Sequence, residues 1–465
     1  MTHSRFEVIS PVDNQVFLTR EFATDSQIEA TLHKASEATS IWKKTPLNQR
    51  QELCSRAVDH IVSREKEIAR EITLQMGRPI KYAGFEISKG FKERAQYMIS
   101  ATEEALREIS IEDSTEAIRR IRKEPRGTVF CMAPWNYPFL TSVNVIIPAI
   151  LAGNTVILKH ALQTPLCAER YLEAFQSAGL PEGVFQILHL SHEKSAEVIR
   201  DPRVDYIAFT GSVNGGIAVK EAMGSRFIGS TFELGGKDAA YVRKDADLSF
   251  AVENLVDGSF FNSGQSCCGI ERIYVDKEIY DPFVESFIEL TKNYIVGNPL
   301  DGNTTLGPMV RTSAAQFVRG QINKAALQGA TLNIQENHFP EFDEESPYLY
   351  PQVLTQVNHK MDIMKEETFG PVVGIMAVAD DKEAVHWIND SQYGLTASIW
   401  SNNTEPCLAL THQLNVGTCY LNRCDYLDPA LAWTGINHSG IGVSLSTLGF
   451  DSLTQPKSIH FKKLS

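Results

Sequence analysis

Glu233-Leu234-Gly235-Gly236-Lys237 and, ending 35 positions beyond its carboxylate, Phe260-Phe261-Asn262-Ser263-Gly264-Gln265-Ser266-Cys267-Cys268 bracket the stretch around which this chain is organised. A carboxylate, Glu233, stands at one end and a thiol, Cys267, at the other, each near glycine, which lets backbone approach a ligand closely. A cysteine thiol ionises at about pH 8.5 on its own, so a nucleophilic one needs an activating neighbourhood. A carboxylate within reach can act as general base. The plain alternative is a thiol pair filling a core, and the flanking chain has to decide.

Upstream, short apolar runs alternate with segments of helix length. Thr128-Val129-Phe130-Cys131-Met132, Thr155-Val156-Ile157-Leu158-Lys159, Val184-Phe185-Gln186-Ile187-Leu188 and Tyr206-Ile207-Ala208-Phe209 read as buried strands. Helices are expected from about Phe139 to Leu151 and after Gln163, with Thr164 as N-cap and Pro165 in the first turn. This rhythm predicts an α/β fold with a parallel sheet covered on both faces, binding ligands at the carboxyl ends of its strands. Downstream, strands at Glu271-Arg272-Ile273-Tyr274-Val275, within 370–375 and at Thr396-Ala397-Ser398-Ile399-Trp400 predict a second α/β portion. Its helices are expected from Tyr280 to about Ile295 and from Ser313 to Gly329.

The N-terminal part predicts a strand and turn around Pro11-Val12-Asp13-Asn14, then three helical segments. The first runs from Ser26 to about Trp42, with Asp25 or Ser26 as cap. The second runs from Leu47 to about Met76 and stops at Gly77-Arg78-Pro79; the third runs from Ala83 to about Ile109. Residues 110–124 are charged and read as an exposed hairpin or simply a solvated face. Lys457-Ser458-Ile459-His460-Phe461 alternates like an edge strand able to pair with another subunit.

At 465 residues the chain is long enough for about two or three domains. Hydrophobic content of 43% and charged content of 22% are those of a soluble globular protein. Lys and Arg number 44 against 57 Asp and Glu, a net charge of −13, which argues against nucleic acid and anionic membrane as partners. No apolar run is long enough to span a bilayer, and the first residues have no secretory apolar segment. Eight scattered cysteines without CxxC spacing point to a reduced, cytoplasmic protein. The 12 histidines form no HxxxH or HExxH group, so no metal site is expected.

Phe209-Thr210-Gly211-Ser212-Val213 follows a strand and opens a helix, where free backbone N–H groups can hold an anion. An ordinary βα turn reads the same way, and the pattern is not GxGxxG. Lys159 at a strand end can donate to a ribose or a phosphate, or be a surface lysine. Asn136, in Pro134-Trp135-Asn136-Tyr137-Pro138, can donate to an oxyanion or be a turn residue. Gly440-Ile441-Gly442 lacks the setting of a phosphate loop and is set aside, as is the stretch from Gly229 to Lys237 read as a P-loop.

Taken together, Glu-Leu-Gly-Gly-Lys, Gly-Gln-x-Cys, Pro134-Trp135-Asn136, Lys159, Phe209-Thr210-Gly211-Ser212 and Glu367-Thr368-Phe369-Gly370-Pro371 resemble, in order, the motifs of the aldehyde dehydrogenase superfamily. The resemblance runs from about residue 10 to 463. It implies a Rossmann-like cofactor domain (1–109 and 127–234), an α/β catalytic domain (235–440) and a β oligomerisation arm (110–126 and 441–465). It also implies that Cys267 attacks an aldehyde carbonyl, that the Asn136 amide and the Cys267 N–H stabilise the oxyanion, and that hydride passes to nicotinamide. Glu233 then activates the water that hydrolyses the thioester. The cofactor-binding set it implies is Trp135, Lys159, Gly211, Ser212, Leu234, Glu367 and Phe369. Lys159 would hold the adenosine ribose, Ser212 and its helix the pyrophosphate, Glu367 the nicotinamide ribose, and Phe369 would abut the nicotinamide.

Departures from the family pattern mark open points. The family's strand lysine is usually followed by proline, with glutamate three residues on; here the run is Lys159-His160-Ala161-Leu162. Leu162 neither accepts from a 2′-hydroxyl nor repels a 2′-phosphate, so NAD and NADP both remain admissible. Ala432-Trp433-Thr434-Gly435 stands where the family often has Pro-Phe-Gly-Gly. For the aldehyde, the resemblance implies a pocket including Tyr137, Asn144, Phe261, Arg423 and Trp433. Arg423 would receive an acidic tail, as in a semialdehyde, unless Asp425 neutralises it.

Two rival functions stand beside the hydrolytic dehydrogenase: a CoA-acylating relative, which needs no water-activating glutamate, and a catalytically silent scaffold on the same fold. The partner implied is a small-molecule aldehyde, and the assembly implied is a homodimer or homotetramer.

Overall fold

Every residue of the strand Thr128–Ala133 is buried. It lies inside a six-stranded sheet in the computed structural model of the chain, which describes residues 4–111 and 116–464. Thr155–His160 and then Phe185–Ile187 pair in parallel on one side; Tyr206–Thr210 and then Gly229–Glu233 pair in parallel on the other. Burial on both faces favours apolar residues, which is why the central strands Thr128–Ala133 and Thr155–His160 read as largely hydrophobic stretches while Gly229–Glu233 does not. Strand order reverses between Thr128–Ala133 and Tyr206–Thr210, and their carboxyl ends open a crevice there. The sheet's edge is Gly440–Ile441, antiparallel to Gly229–Glu233.

A second sheet has seven strands in the order Thr331–Leu332, Gln352–Thr355, Val372–Val378, Ile270–Asp276, Asp238–Val242, Thr396–Trp400 and Thr418–Leu421. All its pairings are parallel except that of Thr331–Leu332. The chain passes from the first sheet to the second between Glu233 and Asp238, so the carboxyl end of one strand leads directly to the amino end of another. Cys267 and Phe369 precede the strands Ile270–Asp276 and Val372–Val378. The two sheets therefore present carboxyl ends and amino ends to a common space.

The helices follow the apolar periodicity with local differences. The first, Asp25–Trp42, is capped by Thr24, whose hydroxyl accepts from the Gln27 N–H while Gln27 reaches back. Asp25 and Ser26 lie inside it. The second expected helix is two, Leu47–Ser63 and Glu65–Met76, parted at Arg64 by its φ of −104° and ψ of 19°; Gly77 ends the latter in the left-handed conformation. The third expected helix contains a π turn, Glu86–Phe91, ahead of Lys92–Ala105.

The charged stretch is a strand. Ala117–Pro125 pairs antiparallel with the C-terminal strand Thr454–Lys462 of the same chain, and Ile109–Ser110 lies on its other side. Residues 112–115, part of the expected hairpin, lie outside the described residues. Among the described residues no helix is long and apolar enough to cross a membrane.

Candidate active site

The strand Thr128–Ala133 runs into Pro134-Trp135-Asn136, and the helix Pro138–Ala152 starts at once, with Pro138 in its first turn. Tyr137 supplies no capping side chain. The exposed N–H groups of that first turn are met instead by Glu86, which accepts from Phe139 N at 2.7 Å and Leu140 N at 3.1 Å. Glu86 forms a buried ion pair with Arg78. Arg78 also donates to the Asn136 carbonyl and, at 3.0 Å, to Asn262 Oδ1. Asn262 Nδ2 and Asn136 Nδ2 each donate to the Gln265 carbonyl at 3.2 Å. One buried network thus joins the strand end carrying Asn136 to the loop leading to Cys267.

That loop is held in an unusual path. Asn262, Ser263 and Gly264 have φ of 55°, 57° and 67°. Such conformations cost on the order of 1–3 kcal/mol each for residues other than glycine, and surrounding bonds must hold them. Ser263 Oγ donates to Gly307 O at 2.8 Å, and Val310 N donates to Gln265 Oε1 at 2.8 Å. Sequence reasoning missed Arg78, Glu86 and Asn262. No local spacing links them, and along the chain Arg78 reads only as part of a helix stop.

Cys267 is partly buried and lines two cavities, one of ≈ 450 Å³ and one of ≈ 290 Å³; Glu233 lines both as well. Burial pushes the Glu233 carboxyl up, opposed by a hydrogen bond from Ser444 Oγ and the positive charge of Arg94. Ser444 arrives through the strand Gly440–Ile441, which pairs Gly440 with Glu233. The stretch set aside as a failed phosphate loop is therefore the support of the carboxylate. Cys268 is buried: its thiol and the Ser266 hydroxyl donate to the same oxygen, Asp425 Oδ1, at 3.0 Å and 2.8 Å. A hydrogen bond with Cys267, together with burial, pushes the Cys268 thiol up.

The larger cavity is lined by Trp135, Gly211, Ser212, Leu234, Glu367 and Phe369, besides Asn136 and the pair. Ser212 caps the helix Val213–Met223, its hydroxyl accepting from the Gly215 N–H at 3.2 Å. Glu367 accepts from the Gly236 N–H at 3.0 Å; burial first, then the neighbouring Glu271, raises it to about 7. A Cβ at Gly235 would lie 2.2 Å from Glu367 Oε1, so only glycine admits that carboxylate. Buried Lys237 pairs with Glu271, which accepts from Thr368 N at 2.9 Å and Phe369 N at 2.8 Å. Phe369 is thereby held at φ 53°, its ring edge-on to Trp135 at 5.7 Å. Lys159, near the end of its strand, is not in the lining of this cavity. It has no hydrogen-bond or ion-pair partner among the described residues, and burial lowers it to about 8. A helix N-terminus at the sheet's switch point, a hydroxyl-accepting carboxylate, an unpartnered lysine and aromatic walls together fit a dinucleotide.

The smaller cavity is lined by Tyr137, Asn144, Phe261 and Trp433. Arg423 is placed otherwise than expected. It is exposed, with its guanidinium 3.5 Å over the ring of Tyr426, and does not line the cavity. That stacking leaves the charge in water, whereas turning it inward would strip its hydration. The arginine lining the cavity is Arg94, which sequence reasoning missed because it is one of many charged residues on a helix.

The model of the aldehyde dehydrogenase family matches residues 1–459. An aldehyde dehydrogenase of Paenarthrobacter nicotinovorans is 31% identical over 459 residues, covering 97% of this chain and 98% of that protein. The succinate semialdehyde dehydrogenase [NAD(P)+] Sad of Escherichia coli (strain K12) is 30% identical, covering 95% of this chain and 94% of its own. Among solved structures, a succinic semialdehyde dehydrogenase from Streptococcus pyogenes in complex with NADP+ superposes with a TM-score of 0.94 at 29% identity, covering 98% and 100% of the two chains.

Proposed function

The chain belongs to the aldehyde dehydrogenase family and oxidises an aldehyde with NAD or NADP, and we propose that Cys267, Glu233 and Asn136 carry the chemistry. The observation that carries this assignment is that Cys267 and Glu233 line both cavities, so a thiol and a carboxylate stand between a cofactor and a substrate. The Cys267 thiolate bonds to the aldehyde carbon, and the oxyanion accepts from the Asn136 amide and the Cys267 N–H. Bound nicotinamide supplies the acceptor for the hydride that leaves the thiohemiacetal carbon. Glu233 takes a proton from water, whose oxygen attacks the thioester and releases the carboxylic acid and the thiol.

For the cofactor, the helix opened by Ser212 suits the pyrophosphate, Glu367 suits a ribose diol, and Leu234, Phe369 and Trp135 wall the cleft. Lys159 is available to the adenosine ribose or its 2′-phosphate, and Leu162 opposes neither NAD nor NADP. The passage between sheets supports a cofactor domain of 1–109 and 127–234, a catalytic domain of 235–440 and a bridging arm of 110–126 and 441–465. The strand Thr454–Lys462 has one edge unpaired among the described residues, which supports assembly into a homodimer or homotetramer. Free thiols at all eight cysteines support a reducing, cytoplasmic setting.

The test is an aldehyde panel with NAD and NADP, with and without coenzyme A, following reduced nicotinamide and identifying the product. Free acid formed without coenzyme A is expected. A strict need for coenzyme A would favour the acylating branch, and no turnover with an unlabelled Cys267 would favour a silent scaffold.

A further inference from the structure

Cys267 and Cys268 are the two central residues of a turn closed by Gly269, whose N–H donates to the Ser266 carbonyl at 3.2 Å. Both thiols line the smaller cavity, but Cys267 alone of the two also lines the larger one. The thiolate is the reactive form of a cysteine, so whatever holds one of two adjacent thiols protonated also decides which of them reacts.

Asp425 touches both neighbours of Cys267. Its Oδ1 accepts from Ser266 Oγ at 2.8 Å and from Cys268 Sγ at 3.0 Å. A single carboxylate oxygen therefore grips the turn on either side of the nucleophile. The bond from Ser266 also steadies the peptide that carries the Cys267 N–H. The bond from Cys268 requires the thiol proton, because a thiolate has none to donate. Glu93, Glu233 and Asp257 line the same cavity, but Asp425 is the carboxylate bonded to the turn.

This contact is brought together from distant parts of the second sheet. The turn precedes the central strand Ile270–Asp276, whereas Asp425 lies in the loop after the edge strand Thr418–Leu421. Its backbone is left-handed, at φ 47°, as is that of Asn422 at φ 54°. Such conformations persist only where surrounding bonds hold them, and they gather at functional sites. Asn422 accepts from the Ser401 N–H at 2.9 Å and donates to the Ser401 carbonyl at 2.8 Å, and the Tyr420 hydroxyl donates to the Tyr426 carbonyl. The loop is thus braced on both sides of the carboxylate it delivers. Burial raises the Asp425 carboxyl, while the bonds from Cys268 and Ser266 and the charges of Arg78 and Arg94 favour its ionised form.

We propose that Asp425 is a positioning residue for the nucleophile: it fixes the turn that presents Cys267 and keeps Cys268 a protonated thiol, so that Cys267 is the one that reacts. Its effect on turnover rests on the dehydrogenase reading above; its choice between the thiols does not. A hydrogen bond with Cys267, burial and then the Asp425 charge all push the Cys268 thiol up, in keeping with this division.

Iodoacetamide labelling at several pH values reads the choice of thiol without turnover, with the two sulfurs told apart by fragmenting the peptide that carries both. The wild type should be labelled at Cys267 and hardly at Cys268 up to about pH 9. Asp425→Asn keeps an acceptor oxygen and removes the charge, so labelling of Cys268 near pH 8 should rise about tenfold, as a pKa lower by one unit implies. Asp425→Ala removes both bonds. It should lower kcat on the order of a hundredfold, with KM changed less, because the thiol loses its aim. Asp425→Asn should retain more of kcat than Asp425→Ala. The buried Cys54 and Cys131 report folding, since they stay unlabelled in a folded variant; if Asp425→Ala unfolds, Asp425→Asn decides. Unchanged Cys268 labelling in Asp425→Asn would overturn the proposal, as would equal labelling of the two thiols in the wild type or an undiminished kcat in folded Asp425→Ala. Failure of every aldehyde to reduce either cofactor would sink the dehydrogenase reading, while the labelling arm still decides the role of Asp425.

Discussion

The Asn136 side-chain amide donates to the Gln265 carbonyl across 3.2 Å, fastening the end of a first-sheet strand to the loop two residues ahead of the Cys267 thiol. An amide nitrogen carries two protons, so one remains for an oxyanion formed at Cys267. Asn136→Ala is expected to lower kcat by about 10²–10³-fold, the usual cost of one oxyanion donor. Steady-state kinetics on a good aldehyde checks this; a change of less than tenfold would remove Asn136 from that role.

Cys267→Ala should abolish oxidation, whereas Glu233→Gln should allow one hydride transfer per site and then stall. Rapid mixing should show a burst of reduced nicotinamide close to the enzyme concentration, followed by a slow phase. Undiminished steady-state turnover in Glu233→Gln would mean that another group activates water.

Burial raises the Glu233 carboxyl while Ser444 donates to it and favours the ionised form. Since the base must be ionised, thioester hydrolysis should rise with pH through a midpoint above the ordinary carboxylate range. Ser444→Ala removes a stabiliser of the anion, so the midpoint should move to higher pH. The pH profile of the slow phase measures it, and a downward shift would contradict the assignment.

Arg78 and Glu86 are paired in the interior and hold both the Asn136 backbone and the start of the helix Pro138–Ala152. Arg78→Met leaves the Glu86 charge uncompensated and should destabilise the fold by about 3–5 kcal/mol. Denaturant unfolding, with activity followed in parallel, checks this; unchanged stability would show that the pair contributes little.

Cofactor binding should depend on pH through Glu367, which burial and Glu271 raise to about 7. A carboxylate accepts ribose hydroxyls best when ionised, so affinity should increase from pH 6 to about 8 as the proton is lost. Glu367→Gln should weaken binding and flatten the profile. Fluorescence titration with the reduced cofactor at several pH values reads both effects.

Several of the fold's strands were legible because a parallel sheet buried on both faces favours apolar runs, as at Thr128–Ala133, whereas Gly229–Glu233 and Asp238–Val242, the strands on either side of the passage between sheets, were not read as strands. Helix breaks were less legible: neither the interruption at Arg64 nor the π turn at Glu86–Phe91 leaves a mark in the apolar spacing. Around the site, Glu233 and Cys267 stand in short glycine-containing motifs that can be read along the chain. Their supports cannot. Ser444 reaches Glu233 across a two-residue strand, and Arg78 reaches Asn262 across the sequence of the first sheet's five parallel strands. Arg423 and Asp425 show the same limit at close range. Their loop has left-handed backbone at Asn422 and Asp425, and it is Asp425 that turns inward.

By itself, then, the sequence determined much of the alternation of strands and helices, the candidate nucleophile and base, and the family they resemble, because each rests on residues near one another along the chain. Only the tertiary structure decided that the crossing from Glu233 to Asp238 joins strand ends of two sheets, that one thiol and one carboxylate line both cavities, and that Arg94 rather than Arg423 lines the smaller of them. Those outcomes depend on which distant segments pack together and which way each side chain points, and helical or strand periodicity carries information on neither.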